Sequence, residues 1–198
     1  MGKGVIERKR PKGRKQAAIV FILPCLLFGL AWFMYFSGYL VPEGRTNKGE
    51  LILPPPHFDD FALYEQGKDT SFDQQNDLWT IVVFGSNHCS DDICRDVLYK
   101  TRQVHIGLGR EADRVRRIYI AEDNPVINKS LKEDHPGIFW LKGDPSIINR
   151  VLSIKKWPEN NYYIVDPLGN IMMRYRPNQK GGDLLRDMQK LLKASNIG

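Results

Sequence analysis

From Ala17 to Val41 the chain reads AAIVFILPCLLFGLAWFMYFSGYLV, a run without a formal charge. About 20 helical residues cross a bilayer core of about 30 Å, so this run is long enough to span. A cleavable signal peptide would have a shorter apolar region and would end in a small-x-small site. This run instead closes on Trp32, Phe33, Tyr35, Phe36 and Tyr39, aromatic residues suited to a membrane interface. The expectation is an uncleaved transmembrane helix over residues 16–41, with membrane contact through residues 17–41. Residues 1–15 form a basic tail that the positive-inside rule keeps cytoplasmic, so the remainder of the chain faces outward.

That tail also explains the charge. The formal net charge is +6. Met1 to Lys15 holds Lys3, Arg8, Lys9, Arg10, Lys12, Arg14 and Lys15 against Glu7 alone, which leaves 22 basic and 22 acidic residues in the rest of the chain. A formally neutral remainder has no electrostatic footprint for phosphate backbones, which removes nucleic acid from the partner classes. The portion of the chain after the membrane run is the size of one domain with one core.

Residues 42–57, PEGRTNKGELILPPPH, are rich in turn formers and end in a triple proline, the composition of a short extended spacer. The domain proper is placed at 58–198. Its hydrophobic period alternates. WTIVVFG (Trp79 to Gly85) is a short buried strand, followed by a helical pattern from about Asp91 to Leu108 with Ile93, Val97, Thr101, Val104 and Leu108 on one face. A strand at Val115 to Ala121, a helix from about Pro125 to Glu133 and a strand at Ile138 to Leu141 come next. Asp144 caps a further helix with Pro145 in its first position. NYYIVDPLGNIMMRYR is a hairpin turning at Asp166 to Asn170, and a final helix from about Gly182 to Ala194 carries Leu184, Leu185, Met188, Leu191 and Leu192 on its inner stripe. This order predicts an α/β domain, a thioredoxin-like sheet with helices on both faces, preceded by one N-terminal transmembrane helix.

Cys89 and Cys94 fall just after the first core strand, at the start of the first core helix, where such a fold keeps its redox chemistry. Five steps along a regular helix rotate a side chain by about 140° and carry the Cα atoms beyond the roughly 7 Å that a disulfide tolerates. For the two sulfurs to meet each other or a shared metal, Cys89 sits in the loop and Cys94 in the first helical turn. The helix N-terminus favours a thiolate there, while Asp91 and Asp92 oppose it. A permanent disulfide is the plainer alternative in an oxidising compartment. Cys25 lies inside the membrane run as a small apolar residue. His88, beside Cys89, is a low-ranking metal ligand because neighbours on an extended segment point to opposite sides. His105 is some 16 Å along the helix from Cys94 and is read as packing. His135 ends a helix, and His57 belongs to the spacer.

On these residues the chain resembles the Sco/SenC family of cytochrome c oxidase assembly proteins, as a divergent member. The resemblance runs from about Gly44 to Ala194 and rests on VVFGSNHCSDDIC, LGREADRVRRIYIAED, HPGIFWLKGDPSIINRV and YYIVDPLGNIMMRY. It implies one anchoring helix, a domain facing the periplasm or intermembrane space, and copper held by two cysteines and one histidine. Cys89 and Cys94 match the family's copper-binding and redox pair, whereas His88 and His135 do not match its ligand histidine. That histidine belongs just upstream of the hairpin, where this chain has KKWPENN from Lys155 to Asn161; the cysteine loop also has one extra residue. Cu(I) accepts two thiolates alone, while Cu(II) would lose its imidazole.

Three readings stay open from the sequence. The first is a membrane-anchored assembly factor for cytochrome c oxidase whose Cys89/Cys94 pair performs thiol–disulfide exchange, with no cofactor required. The second is a Cu(I)-binding chaperone using the same pair, with a third ligand from His88, Met172, Met173 or the partner. The third is a non-catalytic scaffold with a structural disulfide, its partner surface including Arg110, Arg114, Arg116 and Arg117. Expected partners are an oxidase subunit or its copper-delivery proteins. The expected place is a bacterial inner membrane with the domain in the periplasm, the mitochondrial inner membrane being the alternative.

Overall fold

The structure is a computed structural model and describes residues 12–37, 46–65 and 77–195. It divides into two units, residues 1–46 and 47–198. Within the first, helix α1 runs from Lys12 to Ser37 and contains Pro24. Its segment Ala18–Ser37 is long and apolar enough to cross a membrane, and none of that segment is buried in protein. The expected basic tail before Lys12, and the end of the apolar run after Ser37, lie outside the described residues.

The second unit is a seven-stranded mixed sheet. Its strands are β1 (Glu50–Leu51), β2 (Leu63–Glu65), β3 (Trp79–Gly85), β4 (Val115–Ala121), β5 (Ile138–Gly143), β6 (Tyr162–Val165) and β7 (Ile171–Tyr175). Across the sheet the order is β1-β7-β6-β3-β4-β5-β2. β3 pairs parallel with β4 and antiparallel with β6, and β4 pairs parallel with β5. All seven residues of β3 are buried, as a run of apolar and β-branched residues in a strand covered on both faces should be.

Four helices supply that cover. On one face α2 (Asp92–Gly107), α3 (Lys129–Asp134) and α5 (Gly181–Ala194) bring Val97, Leu98, Val104, Leu131, Leu184, Met188 and Leu192 against Ile81, Val83 and Tyr119. On the other face Ile148 of α4 (Pro145–Val151) joins Phe58, Phe61 and Leu63 against Val82, Phe84, Ile118 and Ile120. The fold class read from the sequence is the one observed. Asp144 caps α4 through Ser146 N and Ile147 N, with Pro145 beginning the helix. The hairpin turn uses the Asp166 carboxylate as acceptor for Leu168 N and Asn170 N.

Four local expectations are corrected. The helix placed at Pro125 starts only at Lys129, because Asn128 is its cap and accepts from Leu131 N, while Val126 N bonds Asn87 O in the cysteine loop. Ile93 is 54% exposed and Cys94 takes the inner position that opens the α2 stripe. Arg116 and Arg117 are buried, since β4 is an inner strand and both its faces are covered; Arg116 Nε donates to Thr80 Oγ1 at 2.8 Å. The stretch read as spacer contributes β1, which pairs antiparallel with β7, and His57, which forms a bridge with Asn170.

One buried carboxylate secures that stretch. Asp187 of α5, 2% exposed, accepts from Lys48 N at 2.6 Å, Gly49 N at 2.9 Å and the Tyr175 hydroxyl at 2.8 Å. A Cβ at position 49 would run into the Tyr175 ring, so the approach requires glycine. Asp187→Ala would leave Gly49 N and the Tyr175 hydroxyl unpaired in the interior and the part-buried Lys48 N without its acceptor. We expect it to lower stability by about 3 kcal/mol in urea unfolding, whereas Arg186→Ala on the exposed face should change it by no more than about 0.5 kcal/mol.

Candidate dithiol site

The chain leaves the buried strand β3 at Gly85 and enters α2 at Asp92; Cys89 lies among the six residues between them and Cys94 just inside the helix. Cys89 and Cys94 are joined as a disulfide with their Cα atoms 5.4 Å apart, the spacing that regular disulfide geometry requires. Cys94 lies in the first turn of α2. Cys89 is in the loop in left-handed backbone, φ 45°, an uncommon conformation for a side-chain-bearing residue.

Four residues fix this loop. Ser86 Oγ accepts from Cys89 N at 3.2 Å, and Asp91 caps the helix by accepting from Cys94 N at 2.8 Å. Asn87 reaches across to the segment after β4, its Oδ1 accepting from Asp123 N and its carbonyl from Val126 N. The Tyr119 hydroxyl of β4 donates to Ser86 O at 2.6 Å and stands 3.4 Å from Cys94 Sγ. A Cβ at position 85 would collide with that hydroxyl, so glycine ends β3 for a steric reason.

Both sulfurs are interior. Cys89 is 1% exposed and Cys94 0%. Among the described residues no cationic side chain hydrogen-bonds either sulfur. The neighbours are the helix N-terminus, the Asp91 carboxylate and Tyr119, whose hydroxyl is pushed well above the usual phenol range by burial first and by the Asp91 charge second.

The KKWPENN segment packs beside the pair. Trp157 Nε1 donates to Gly85 O at 3.2 Å, and its ring meets Phe84 edge-on at 5.3 Å. Asn160 N and Asn161 O bond the Phe84 backbone. With Ser86, Asn87, His88, Glu122 and Glu159, Trp157 lines a cleft of about 280 Å³ next to the cysteine loop. His88 is exposed on this cleft. Among the described residues no group of three or more His, Cys, Asp or Glu is arranged to hold a metal ion.

The remaining candidates lie apart. Met173 is buried in the core, and Met172 packs at its margin. His105 bonds Val115 O at 2.8 Å, the packing role expected of it. Arg114 reaches the carbonyls that end α5, Leu192 O and Ser195 O. His135, 6% exposed, stands 3.5 Å from Arg117 Nη2 under α2. Sequence reasoning missed Tyr119 and Trp157; the signal for Tyr119 was its place two residues before the end of a strand parallel to β3, in register with Val83.

The fold and the bridged pair define a class: a thioredoxin-like domain with a dithiol/disulfide at the N-terminus of its first core helix, in a chain that also carries a membrane-length helix. The chain belongs to the family described as transmembrane-like, thioredoxin-like, C-terminal domain, whose model matches residues 79–195. No curated protein matches the sequence. Solved structures share the fold. Apo Sco1 from Thermus thermophilus is 19% identical with a TM-score of 0.56, over 75% of this chain and 99% of that one. Copper-bound ScoI from Arabidopsis thaliana is 22% identical with a TM-score of 0.51, over 68% and 96%. Yeast Sco1 is 19% identical with a TM-score of 0.53, over 71% and 97%.

His135 gives this domain a pH dependence. Burial, with the charges of Arg117 and Arg102 adding, lowers its pKa from 6.5 to about 4, so it is neutral in the fold. The unfolded chain binds this proton more readily, so the contribution is complete above pH 6.5 and is lost as pH falls from 6.5 towards 4. Chemical unfolding should show a loss of about 1–2 kcal/mol across that window, and His135→Gln should flatten it.

Proposed function

We propose that this protein is a membrane-anchored assembly factor for cytochrome c oxidase whose Cys89/Cys94 pair exchanges disulfides with cysteines of an oxidase subunit or of its copper-delivery proteins. The observation that carries the reading is the bridge between the loop after β3 and the first turn of α2, beside a cleft of about 280 Å³. The fold shared with BsSco, described as a member of the Sco family of cytochrome c oxidase assembly proteins with a disulfide switch, supports the oxidase-assembly context. The basic residues before α1 support a periplasmic domain on a bacterial inner membrane.

The surroundings of the sulfurs set the direction of exchange. Strong dithiol oxidants stabilise their reduced form with a favoured thiolate. Here Asp91 stands at the helix start and among the described residues no cationic side chain bonds a sulfur, so the disulfide is the favoured form and the dithiol a reductant. In its working step the Cys89/Cys94 dithiol gives two electrons and two protons to a partner disulfide, freeing the partner's cysteines for copper.

Copper itself is cargo in the second reading. Two thiolates suit Cu(I), and among the described residues around the pair there is no built third ligand beyond the exposed His88. A structural disulfide in a scaffold is the third, favoured by the burial of both sulfurs.

The full chain in detergent, poised against dithiol buffers and alkylated for mass spectrometry, separates these. The expected result is a reversible two-electron couple more reducing than about −250 mV, and a Cys94→Ser variant that accumulates a mixed disulfide through Cys89. Stoichiometric Cu(I) shielding both thiols would favour the chaperone. A pair that stays oxidised at every potential would leave the scaffold.

A further inference from the structure

Tyr119 lies at the centre of the site, and thiol–disulfide exchange between two cysteines and a partner assigns it no part. Its hydroxyl oxygen is 3.4 Å from Cys94 Sγ and 2.6 Å from Ser86 O, and both Tyr119 and Cys94 are fully buried. The ring is held by Trp140, with centroids 5.1 Å apart, and the hydroxyl fits only because residue 85 is glycine. A phenol has one hydrogen and two acceptors within reach here. While the disulfide is closed, the neutral sulfur is a weak acceptor and the carbonyl of Ser86 takes the hydrogen. When the bond opens, the same position holds a thiolate, and a charged acceptor makes the stronger bond.

We propose that the Tyr119 hydroxyl is the donor that holds the Cys94 thiolate each time the Cys89–Cys94 bond opens, which makes Tyr119 the third member of the dithiol site. This role rests on the pair being a thiol-exchange couple. Burial keeps the hydroxyl protonated, so it remains a donor throughout.

Recharging of the pair by a dithiol begins when a thiolate of the donor attacks Cys89 Sγ, the residue whose neighbours His88 and Ser90 are both exposed, and forms a mixed disulfide. The Cys89–Cys94 bond breaks with its electron pair going to Cys94, whose thiolate accepts from Tyr119 until it takes a proton from water. The donor's second thiolate then attacks its own sulfur of the mixed disulfide and expels Cys89 as thiolate, which takes its proton from water, the two donor thiols having released theirs to it. Two electrons and two protons have moved, and the donor leaves as a disulfide. In the working direction Cys94, activated against Tyr119, resolves the mixed disulfide formed with the partner.

The test uses the full chain in detergent. Reduction by dithiothreitol, followed by stopped flow, should be about 3- to 10-fold slower in Tyr119→Phe, because a less stabilised thiolate leaves more slowly. The Cys94 pKa, read from its ¹³Cβ shift in the reduced protein, should rise by about one unit, tenfold in its acid constant. A measurement independent of any variant is the Tyr119 ¹³Cζ shift in reduced wild type, which should titrate with the Cys94 midpoint. A Cζ signal that ignores that titration, or a Tyr119→Phe rate within about twofold of wild type, would overturn the inference while leaving exchange standing. A wild-type pair that no dithiol reduces would overturn both.

Discussion

The strand Trp79–Gly85 is covered on both faces, and the rest of the domain is arranged around that fact. A strand with no solvent side must be placed between others, and here β4 and β6 pair with it in parallel and antiparallel register. Helices must then occupy both faces of the sheet, and the chain that leaves the strand has to turn out of the core at Gly85. The turn is where a side-chain-free residue, a helix cap and two cysteines come together. The position of the dithiol therefore derives from the burial of the strand before it.

Much of this was legible in the sequence because the large elements are strongly periodic. WTIVVFG, VRRIYIA and the hairpin around DPLGN carry their own boundaries in apolar runs and turn residues. Asp144 and Pro145 mark a helix start by the chemistry of the cap. The short edge strands were not legible. Glu50–Leu51 and Leu63–Glu65 are too short for a period of two to register, and prolines between them pointed to a linker. Arg116 and Arg117 misled in another way: charged residues are usually exposed, and nothing local reveals that a strand will lie inside a sheet. The five-residue step between the cysteines did demand a loop and a first turn, and the two residues fall there. The partners of the sulfurs, Tyr119 and Trp157, come from distant segments and depend on register, which no single segment encodes.

Charge is handled differently at two buried places in the domain. Asp187 is sealed in with three donors and ties the start of the domain to its last helix. Arg117 is also interior; among the described residues its Nε, like Asp187 Oδ1, has no partner, and its Nη2 makes long contacts to His135 Nδ1 and Leu98 O at 3.5 Å. Burial, with Arg102 adding, lowers its pKa to about 10, so it stays charged at neutral pH. A neutral His135 avoids placing a further positive charge beside it. The first arrangement ties the start of the domain to α5; the second keeps a charged group buried beside a neutral ring.

The depth of the two sulfurs, 1% and 0% exposed, separates encounters by size. A small thiol that collides with the surface finds no sulfur to attack and must wait for the Ser86–Asp91 loop to open by itself. If that opening costs about 3 kcal/mol, bulk thiols react more than 100-fold more slowly than with an open disulfide. A protein that fills the cleft beside Trp157 can meet the same cost from its own binding energy. The pair would then be insulated from the redox buffer around it and would answer to docking, so its oxidation state would record which partner it last met.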